Sequence, residues 1–245
     1  MKILSVEDVA ELIRRHGFEN YIFDLMQMLK ADFKRWDEFK KIPRIAMHVP
    51  GGVLELMPIS DDTYYSTDPG AMDKFERNMH SGLAKLVRCA NTEGAVSGAD
   101  IITTCTACKA HVDVIKNDRI KPGVHINGIG GDCPGKTELE LAILLRSRIV
   151  VEYFEQTLAE GEIQRFTKEQ ANEEVYAELH ELVSGKKIGR ASDQEITLYD
   201  SVGIALEDFS VLKMTYELAE RYNLGEAKSL IPLLKDPKNL IAKLA

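Results

Sequence analysis

The N-terminal part of the chain places its apolar residues at helical spacing. Ser5, with Asp8 three positions later, predicts the capped start of a short helix, and Gly17 predicts its end. A longer helix follows, and Pro43 predicts its stop. Its apolar residues recur at intervals of three and four and form one continuous face, made of Phe18, Ile22, Leu25, Leu29, Phe33 and Trp36. Such a face most often packs in a core or against a second subunit.

Two short β-prone runs come next, at residues 44–49 and 53–58, on either side of Pro50-Gly-Gly. This pattern predicts a hairpin. Arg44 and Glu55 each interrupt an otherwise apolar run. One interpretation is an ion pair on the surface. The other is a substrate clamp, in which the guanidinium binds a carboxylate and the carboxylate binds an ammonium group.

In the middle of the chain, short apolar runs alternate with helical segments. Helices are predicted at 71–79 and 92–96. Strands are predicted at residues 85–90, 101–106, 125–129 and 148–153. Strands that alternate with helices form right-handed βαβ units, and these build a parallel sheet. The pattern therefore predicts an α/β fold with a doubly wound sheet.

A glycine-dense turn follows the strand at 125–129, and we predict that a helix begins directly after it. The turn contains three residues without a Cβ atom, which permits φ > 0 or a close approach to a ligand: Gly128, Gly130 and Gly131. Ligands of open α/β sheets bind beyond the carboxyl ends of strands, near helix N-termini that favour anions. Asp132 and Lys136 could then serve proton transfer and phosphate binding. The alternative is a turn whose Asp only caps the next helix.

Composition narrows the class of protein. The chain has 245 residues and a net charge of −8, which argues against a sequence-independent nucleic-acid binder. No apolar run approaches a membrane span and the N-terminus lacks a signal-peptide pattern, so we expect a cytoplasmic protein without a membrane partner. Cys105 and Cys108 form a C-x-x-C pair, but no second pair or suitably spaced histidines accompany it. We therefore expect no metal site and no redox site there.

Two segments carry a family resemblance. Gly130-Gly-Asp-Cys-Pro-Gly-Lys-Thr-Glu-Leu139 resembles the signature of the ornithine cyclodeaminase/mu-crystallin family, and residues 200–208 resemble its Ser-Val-Gly-x-Ala-x-Glu-Asp motif. The resemblance implies NAD as cofactor, a homodimer, and conversion of L-ornithine to L-proline and ammonia. Alanine dehydrogenase and ketimine reductase activities are the alternatives within the family.

The same resemblance implies roles for individual residues. Asp132 would be the proton shuttle and Glu55 would organise an active-site water. The substrate would be contacted by Arg44, Asp132 and Val202. Seven residues would line the NAD site: Thr106, Ile126, Asn127, Gly128, Ile129, Lys136 and Ser201.

The family pattern is interrupted after about Tyr65. A strand with a substrate-binding Lys and the glycine-rich turn that opens a dinucleotide fold are missing, a block on the order of a hundred residues, about one small domain. No G-x-G-x-x-G occurs in the sequence, so half of the expected pyrophosphate site is absent. This gap predicts impaired turnover and no NAD+ affinity measurable by calorimetry. A non-catalytic remnant is the second hypothesis.

These observations predict an α/β protein of three segments. Residues 66–195 would form an incomplete Rossmann-like parallel-sheet domain. Residues 1–65 would be the truncated N-terminal part of an α+β domain for substrate binding and dimerisation. Residues 196–245 would supply a C-terminal helix that returns to that domain.

Overall fold

The structure is a computed structural model, and it describes residues 2–41, 62–66, 68–79, 86–106, 110–131 and 133–228. The contacts divide the chain into two compact units. The first contains the residues up to Asp32 and those from Leu206 onward. The second extends from Phe33 to Ala205.

Strands and helices alternate along most of the described chain. The strands are β1 (Lys2–Ile3), β2 (Asp62–Tyr64), β3 (Leu86–Arg88), β4 (Ile101–Thr104), β5 (His111–Ile115), β6 (His125–Gly128), β7 (Thr137–Leu139), β8 (Arg148–Val151), β9 (Val175–Glu178), β10 (Thr197–Asp200) and β11 (Glu226–Ala227). The α-helices are α1 (Val6–His16), α2 (Phe18–Lys34), α3 (Pro69–Met79), α4 (Thr92–Val96), α5 (Leu141–Leu144), α6 (Phe154–Glu160), α7 (Lys168–Glu174), α8 (Leu179–Val183) and α9 (Ala205–Arg221). Among the helices of these residues, none combines the length and apolarity needed to cross a bilayer.

The first unit begins with the helix cap that the sequence predicts. The Asp8 N–H donates to Ser5 Oγ over 3.1 Å, and the Ser5 N–H donates to Asp8 Oδ2 over 2.9 Å. Gly17 ends α1 with φ +86°, a value that glycine adopts without a steric penalty. Both signals act within a few residues, and the predicted cap is therefore confirmed.

The buried face of α2 differs from the predicted apolar face. Phe18 is 66% exposed and Ile22 is 38% exposed, whereas Tyr21 is 8% exposed. Tyr21 joins Leu12 of α1 and residues of α9 in the core of the first unit, and Leu25 packs beside it. The i, i+4 spacing of Tyr21 and Leu25 defines this face. The helical period is as predicted. The residues that pack in the core are partly different from the predicted ones, because the buried face is rotated about the helix axis.

The second unit is built on a five-stranded parallel sheet with the order β4-β6-β10-β8-β9. All its neighbouring strands pair in parallel, which confirms the predicted α/β class. The register places Thr104, Gly128, Asp200 and Val151 at the same level, at the carboxyl ends of four adjacent strands. Apolar side chains of these strands form the core, among them Ile102, Ile126, Ile149 and Leu198.

The strand β10 is central in this sheet. The sequence predicts that residues 196–245 supply the returning C-terminal helix, but β10, within that range, belongs to the sheet of the second unit. Its Leu198 is 1% exposed, and the strand pairs on one side with β6 and on the other with β8. A central strand needs neighbours from distant parts of the chain, and the local sequence does not reveal them.

The segment after the glycine-dense turn is extended and not helical. The strand β7 pairs in parallel with β5, and α5 begins only at Leu141. The N–H groups of Glu138 and Leu139 donate to the two carboxylate oxygens of Glu162, over 2.7 and 3.0 Å. Because these donors are used in an extended conformation, no helix N-terminus follows the turn directly. The predicted helix starting at Lys136 is therefore wrong, and the role of Lys136 in binding a cofactor stays a prediction.

Candidate functional site

Three loops meet at the carboxyl edge of the sheet, one after each of β4, β6 and β10. The Ile129 N–H donates to the Thr104 carbonyl over 3.2 Å, and the Ser201 N–H donates to the Gly128 carbonyl over 3.1 Å. These bonds continue the sheet pairing beyond the strand ends. They bring together Ile129 and Ser201, and the loop with Thr106 lies at the same edge. In open α/β sheets this edge is where ligands bind.

Other residues predicted to line a cofactor site take different positions. The Ile126 side chain is fully buried in the core. The Asn127 side chain donates to Thr103 Oγ1 over 3.2 Å, and its Oδ1 lies 3.1 Å from His125 Nε2. Lys136 is 2% exposed and Val202 is 8% exposed. The side chain of Ile126 therefore belongs to the core, and that of Asn127 belongs to a hydrogen-bond network on the sheet.

Three of the predicted catalytic and substrate-binding residues lie outside the described residues: Arg44, Glu55 and Asp132. The predicted hairpin at residues 44–58 lies outside them as well. Cys108 of the C-x-x-C pair does so too, while Cys105 is exposed. The roles assigned to these residues remain predictions.

Sequence reasoning missed a set of acidic residues behind the three loops. Glu138, Glu162 and Asp200 are each 0% exposed, and we call them the buried carboxylate cluster. The two oxygens of Asp200 accept the N–H groups of Glu162 and Ile163 over 3.0 and 2.9 Å. Glu162 accepts the N–H groups of the β7 backbone, as described above. The signal in the sequence is that each of these acidic residues interrupts a run of otherwise buried residues. Acidic residues are usually exposed, so this signal does not predict their burial.

Glu138 connects this cluster to the loop after β4. Its Oε1 accepts the Thr106 N–H over 2.6 Å and the Thr106 hydroxyl over 2.5 Å. A hydrogen-bonded chain therefore extends from Thr106 through Glu138 and Glu162 to Asp200. Asp200 directly precedes Ser201, so the chain links the loop after β4 to the loop after β10.

Burial controls the ionisation of the cluster. It raises the pKa of Glu162 to about 8, and the negative charge of Asp200 adds to the rise, while the N–H groups of Leu139 and Glu138 oppose it. Burial likewise raises the pKa of Asp200 to about 7, against the N–H groups of Glu162 and Ile163. Removing a carboxylate from water disfavours its charged form. Near neutral pH these two carboxyl groups therefore retain protons that an exposed acid would release.

The glycines of the turn make room for these carboxylates. None of the three has φ in the left-handed region. A Cβ atom built on Gly130 would lie 1.9 Å from Glu138 Oε2, and one on Gly128 would lie 3.1 Å from Glu162 Cγ. One on Gly131 would lie 3.0 Å from the Glu160 carbonyl oxygen. The sequence predicts that these glycines let a ligand approach the backbone closely. In the structure, the space beside each glycine is filled by other atoms of the protein.

The parallel sheet and the loops at its carboxyl edge define the class: an α/β protein of the nucleotide-binding type. Residues 63–223 match the model of the ornithine cyclodeaminase/mu-crystallin family. The chain belongs to this family.

Relatives in the family include several enzymes. The chain is 32% identical to an ornithine cyclodeaminase of Agrobacterium fabrum over 335 residues, which cover 98% of this chain and 94% of the relative. This alignment is longer than the 245 residues of the chain, so it contains gaps on this chain's side. It agrees with the internal block found missing from the family pattern. An alanine dehydrogenase of Archaeoglobus fulgidus is 40% identical over 131 residues, 53% of this chain and 40% of the relative.

Solved structures agree with the fold. An archaeal alanine dehydrogenase dimer with bound NAD superposes with a TM-score of 0.64 and 34% identity, over 71% of this chain and 53% of that chain. A Thermococcus litoralis Δ1-pyrroline-2-carboxylate reductase in complex with NADH and L-proline gives 0.64 and 31%, over 69% and 53%. The present chain thus spans about half the length of the solved structures it matches.

The described residues fit part of a dinucleotide. Thr106, Ile129 and Ser201 offer hydroxyl and main-chain groups at the edge where nucleosides bind in such sheets. A pyrophosphate needs a glycine-rich turn on a helix N-terminus, and the glycine-dense turn of this chain leads into the strand β7. The residues at this edge are therefore better suited to bind the nucleoside parts of a dinucleotide than its phosphates.

Proposed function

We propose that this chain is an NAD-dependent cyclodeaminase that converts L-ornithine to L-proline and ammonia, with weakened affinity for its cofactor. The observation that supports this proposal best is the extent of the similarity. The Agrobacterium ornithine cyclodeaminase matches along 98% of the chain, whereas the Archaeoglobus alanine dehydrogenase matches along 53%. The wider match includes the N-terminal part, where Arg44 and Glu55 lie.

The reaction divides between the cofactor and the chain. Bound NAD would accept one hydride from the substrate and return it. Arg44 would bind the α-carboxylate in two parallel hydrogen bonds, and Glu55 would hold a water molecule near the reacting carbon. Asp132 would accept and return the proton as the side-chain amine closes the ring and ammonia leaves. Thr106 and Ser201 would orient the cofactor from the loops after β4 and β10, and Val202 would pack against the substrate.

Alanine dehydrogenase or ketimine reductase activity is the second candidate. The similarity to such enzymes is narrower but locally stronger, at 40% identity over 141 residues for a Δ1-pyrroline-2-carboxylate reductase of Bacillus cereus. Net redox change separates the two candidates. A cyclodeaminase recycles NAD+ and forms proline without net NADH, whereas a dehydrogenase or reductase changes the NADH concentration with each turnover.

The experiment measures L-proline, ammonia and NADH from the purified chain with L-ornithine and increasing NAD+. Parallel assays use L-alanine with NAD+ and pyrroline-2-carboxylate with NADH as alternative substrates. We expect proline and ammonia in equal amounts, no net NADH, and saturation only at high NAD+. Calorimetry should show no measurable heat at ordinary protein concentrations, and tight NAD+ binding would contradict the inferred loss. The Asp132→Asn variant should lose proline formation, and Glu140→Gln serves as a matched control.

Absence of product with every substrate, each supplied with saturating cofactor in the oxidation state it requires, would refute the enzymatic proposal and favour a non-catalytic remnant. We also propose a homodimer, since the archaeal alanine dehydrogenase structure is a dimer. Sedimentation of the purified chain tests this point. A monomer at all concentrations would contradict it.

A further inference from the structure

Thr106 uses both of its hydrogen-bond donors inside the protein. Its N–H and its hydroxyl both donate to Oε1 of Glu138, over 2.6 and 2.5 Å. A threonine hydroxyl has one proton and two lone pairs, and here its proton is directed to the same carboxyl oxygen that accepts the Thr106 N–H. Once the proton of Thr106 Oγ1 points to Glu138, the hydroxyl can offer a ligand only its lone pairs.

Glu138 is held firmly in this position. Its own N–H donates to Glu162 over 2.7 Å, and the Glu162 N–H donates to Asp200 over 3.0 Å. Its carboxylate lies against Gly130, where a Cβ atom would come within 1.9 Å of Oε2. Because Glu138 is 0% exposed and its carboxyl group lies against Gly130, it has little room to turn away from Thr106.

This arrangement discriminates between the parts of a dinucleotide. The ribose hydroxyls, the adenine amine and the nicotinamide carboxamide can donate a hydrogen bond to Thr106 Oγ1. A pyrophosphate offers only acceptors near neutral pH, so it has no proton to donate to Thr106 Oγ1. The loop after β4 is therefore suited to a nucleoside and unsuited to a phosphate.

We propose that Glu138 is a positioning residue that makes the Thr106 hydroxyl an obligate acceptor for a nucleoside donor group. The inference deepens the proposed function and rests on it for the identity of the ligand as a dinucleotide. Glu138 acts through Thr106 and does not contact the ligand itself. The buried carboxylate cluster thereby sets which part of the cofactor the loop after β4 recognises.

Amide NMR of threonine-labelled protein tests the positioning without any ligand. An amide that donates to a carboxylate resonates downfield, so the Thr106 signal should lie downfield and move upfield in Glu138→Gln. The signal is assigned by its loss in Thr106→Ser. Glu140→Gln is the matched control, because Glu140 accepts the Asn117 N–H and not that of Thr106, and it should leave the signal in place. An unmoved Thr106 signal in Glu138→Gln would overturn the proposal.

Titrations with NAD+, adenosine, nicotinamide riboside and inorganic pyrophosphate test the recognition, because NMR detects weak binding. We expect the nucleosides and NAD+ to shift the Thr106 signal and pyrophosphate to leave it unchanged. An equal shift with pyrophosphate would overturn the acceptor assignment. Thr106→Val should weaken NAD+ binding about tenfold, as expected for one lost hydrogen bond, while Thr106→Ser retains it.

The double variant Thr106→Val/Glu138→Gln separates a positioning role from a merely structural one. If Glu138 acts through Thr106, the double variant binds NAD+ no more weakly than Thr106→Val alone. Additive losses would overturn the proposal. If Glu138→Gln fails to fold, the Thr106→Val and Thr106→Ser pair still decides the recognition. If no probe binds while Glu138→Gln moves the Thr106 signal, the proposed function and the ligand contact are both refuted, and the coupling of Glu138 to Thr106 stands.

Discussion

Replacing Gly130 by alanine should destabilise the second unit strongly. The added Cβ atom would lie 1.9 Å from Oε2 and 2.2 Å from Cδ of Glu138, a side chain that is fully buried. Neither atom is the free end of an exposed side chain, so Glu138 or the backbone must shift. The backbone conformation of Gly130 is not left-handed. The expected cost therefore comes from overpacking and not from strain in φ.

The size of the effect follows from two contributions. Overpacking of a well-packed interior costs about 1–3 kcal/mol. If Glu138 moves, the N–H and the hydroxyl of Thr106 lose their acceptor, and a donor left without a partner costs about 1–3 kcal/mol. We expect a loss of about 3–5 kcal/mol in the free energy of unfolding. In urea this corresponds to a fall of the midpoint by about 1 M or more.

Fluorescence of Trp36 during urea unfolding provides the assay. Trp36 is the single tryptophan of the chain, is 5% exposed, and lies in the same unit as Gly130. The matched control is Gly189→Ala, because its Cβ atom would meet only Leu182 Cδ2, at 3.9 Å. This control should change stability by less than about 1 kcal/mol. In a background that carries Glu138→Ala, the Gly130→Ala change should cost clearly less, since the clash is removed. Equal midpoints for Gly130→Ala and Gly189→Ala would refute the reasoning.

Other changes test the cluster and the first unit. Because burial raises the pKa of Glu162 to about 8 and that of Asp200 to about 7, the folded chain binds more protons than the unfolded one. Their contribution to the unfolding free energy is full below about pH 4 and is lost as the pH rises through 7 and 8. Glu162→Gln should flatten this fall in urea midpoints measured from acidic to alkaline pH, and an unchanged slope would contradict it. Ser5→Ala removes the α1 cap and should cost about 1 kcal/mol by thermal unfolding. Ser210→Ala removes the 2.8 Å hydrogen bond that Ser210 Oγ donates to buried Asp32 and should cost about 1–3 kcal/mol. An unchanged melting temperature of the Ser5→Ala or the Ser210→Ala variant would count against the contact removed in that variant.

Local signals were sufficient for several elements. The cap of α1 depends on Ser5, Asp8 and Gly17, which interact within a few residues of each other. The strands β4, β6 and β8 were predicted from apolar runs that extend only one or two residues beyond the observed strands. The helix α4 was predicted with its observed bounds, since Asn91 caps it and only five residues are involved. The helical elements satisfy much of their backbone locally, whereas the strands were recognised from apolar runs, a pattern that is present in the linear chain.

The segment after the glycine-dense turn shows where local reasoning fails. Residues 137–139 were predicted to be helical, and they form β7. The acceptors that hold them extended belong to Glu162, more than twenty residues away, and to the backbone of β5. Intrinsic propensity differs by less than about 1 kcal/mol for most residues. Several hydrogen bonds from distant parts of the chain outweigh it.

The sequence by itself determined the family of this protein, the parallel α/β class and the loops that carry Thr106, Ile129 and Ser201. Those features depend on ordered motifs and on the period of apolar residues, and both are present in the linear chain. Only the tertiary structure decided that Glu138, Glu162 and Asp200 are buried together, and that Gly130 packs against the carboxyl group of Glu138. Burial and hydrogen-bond partners come from residues far apart in the sequence, and these set the ionisation of an acid and the direction in which Thr106 points its proton.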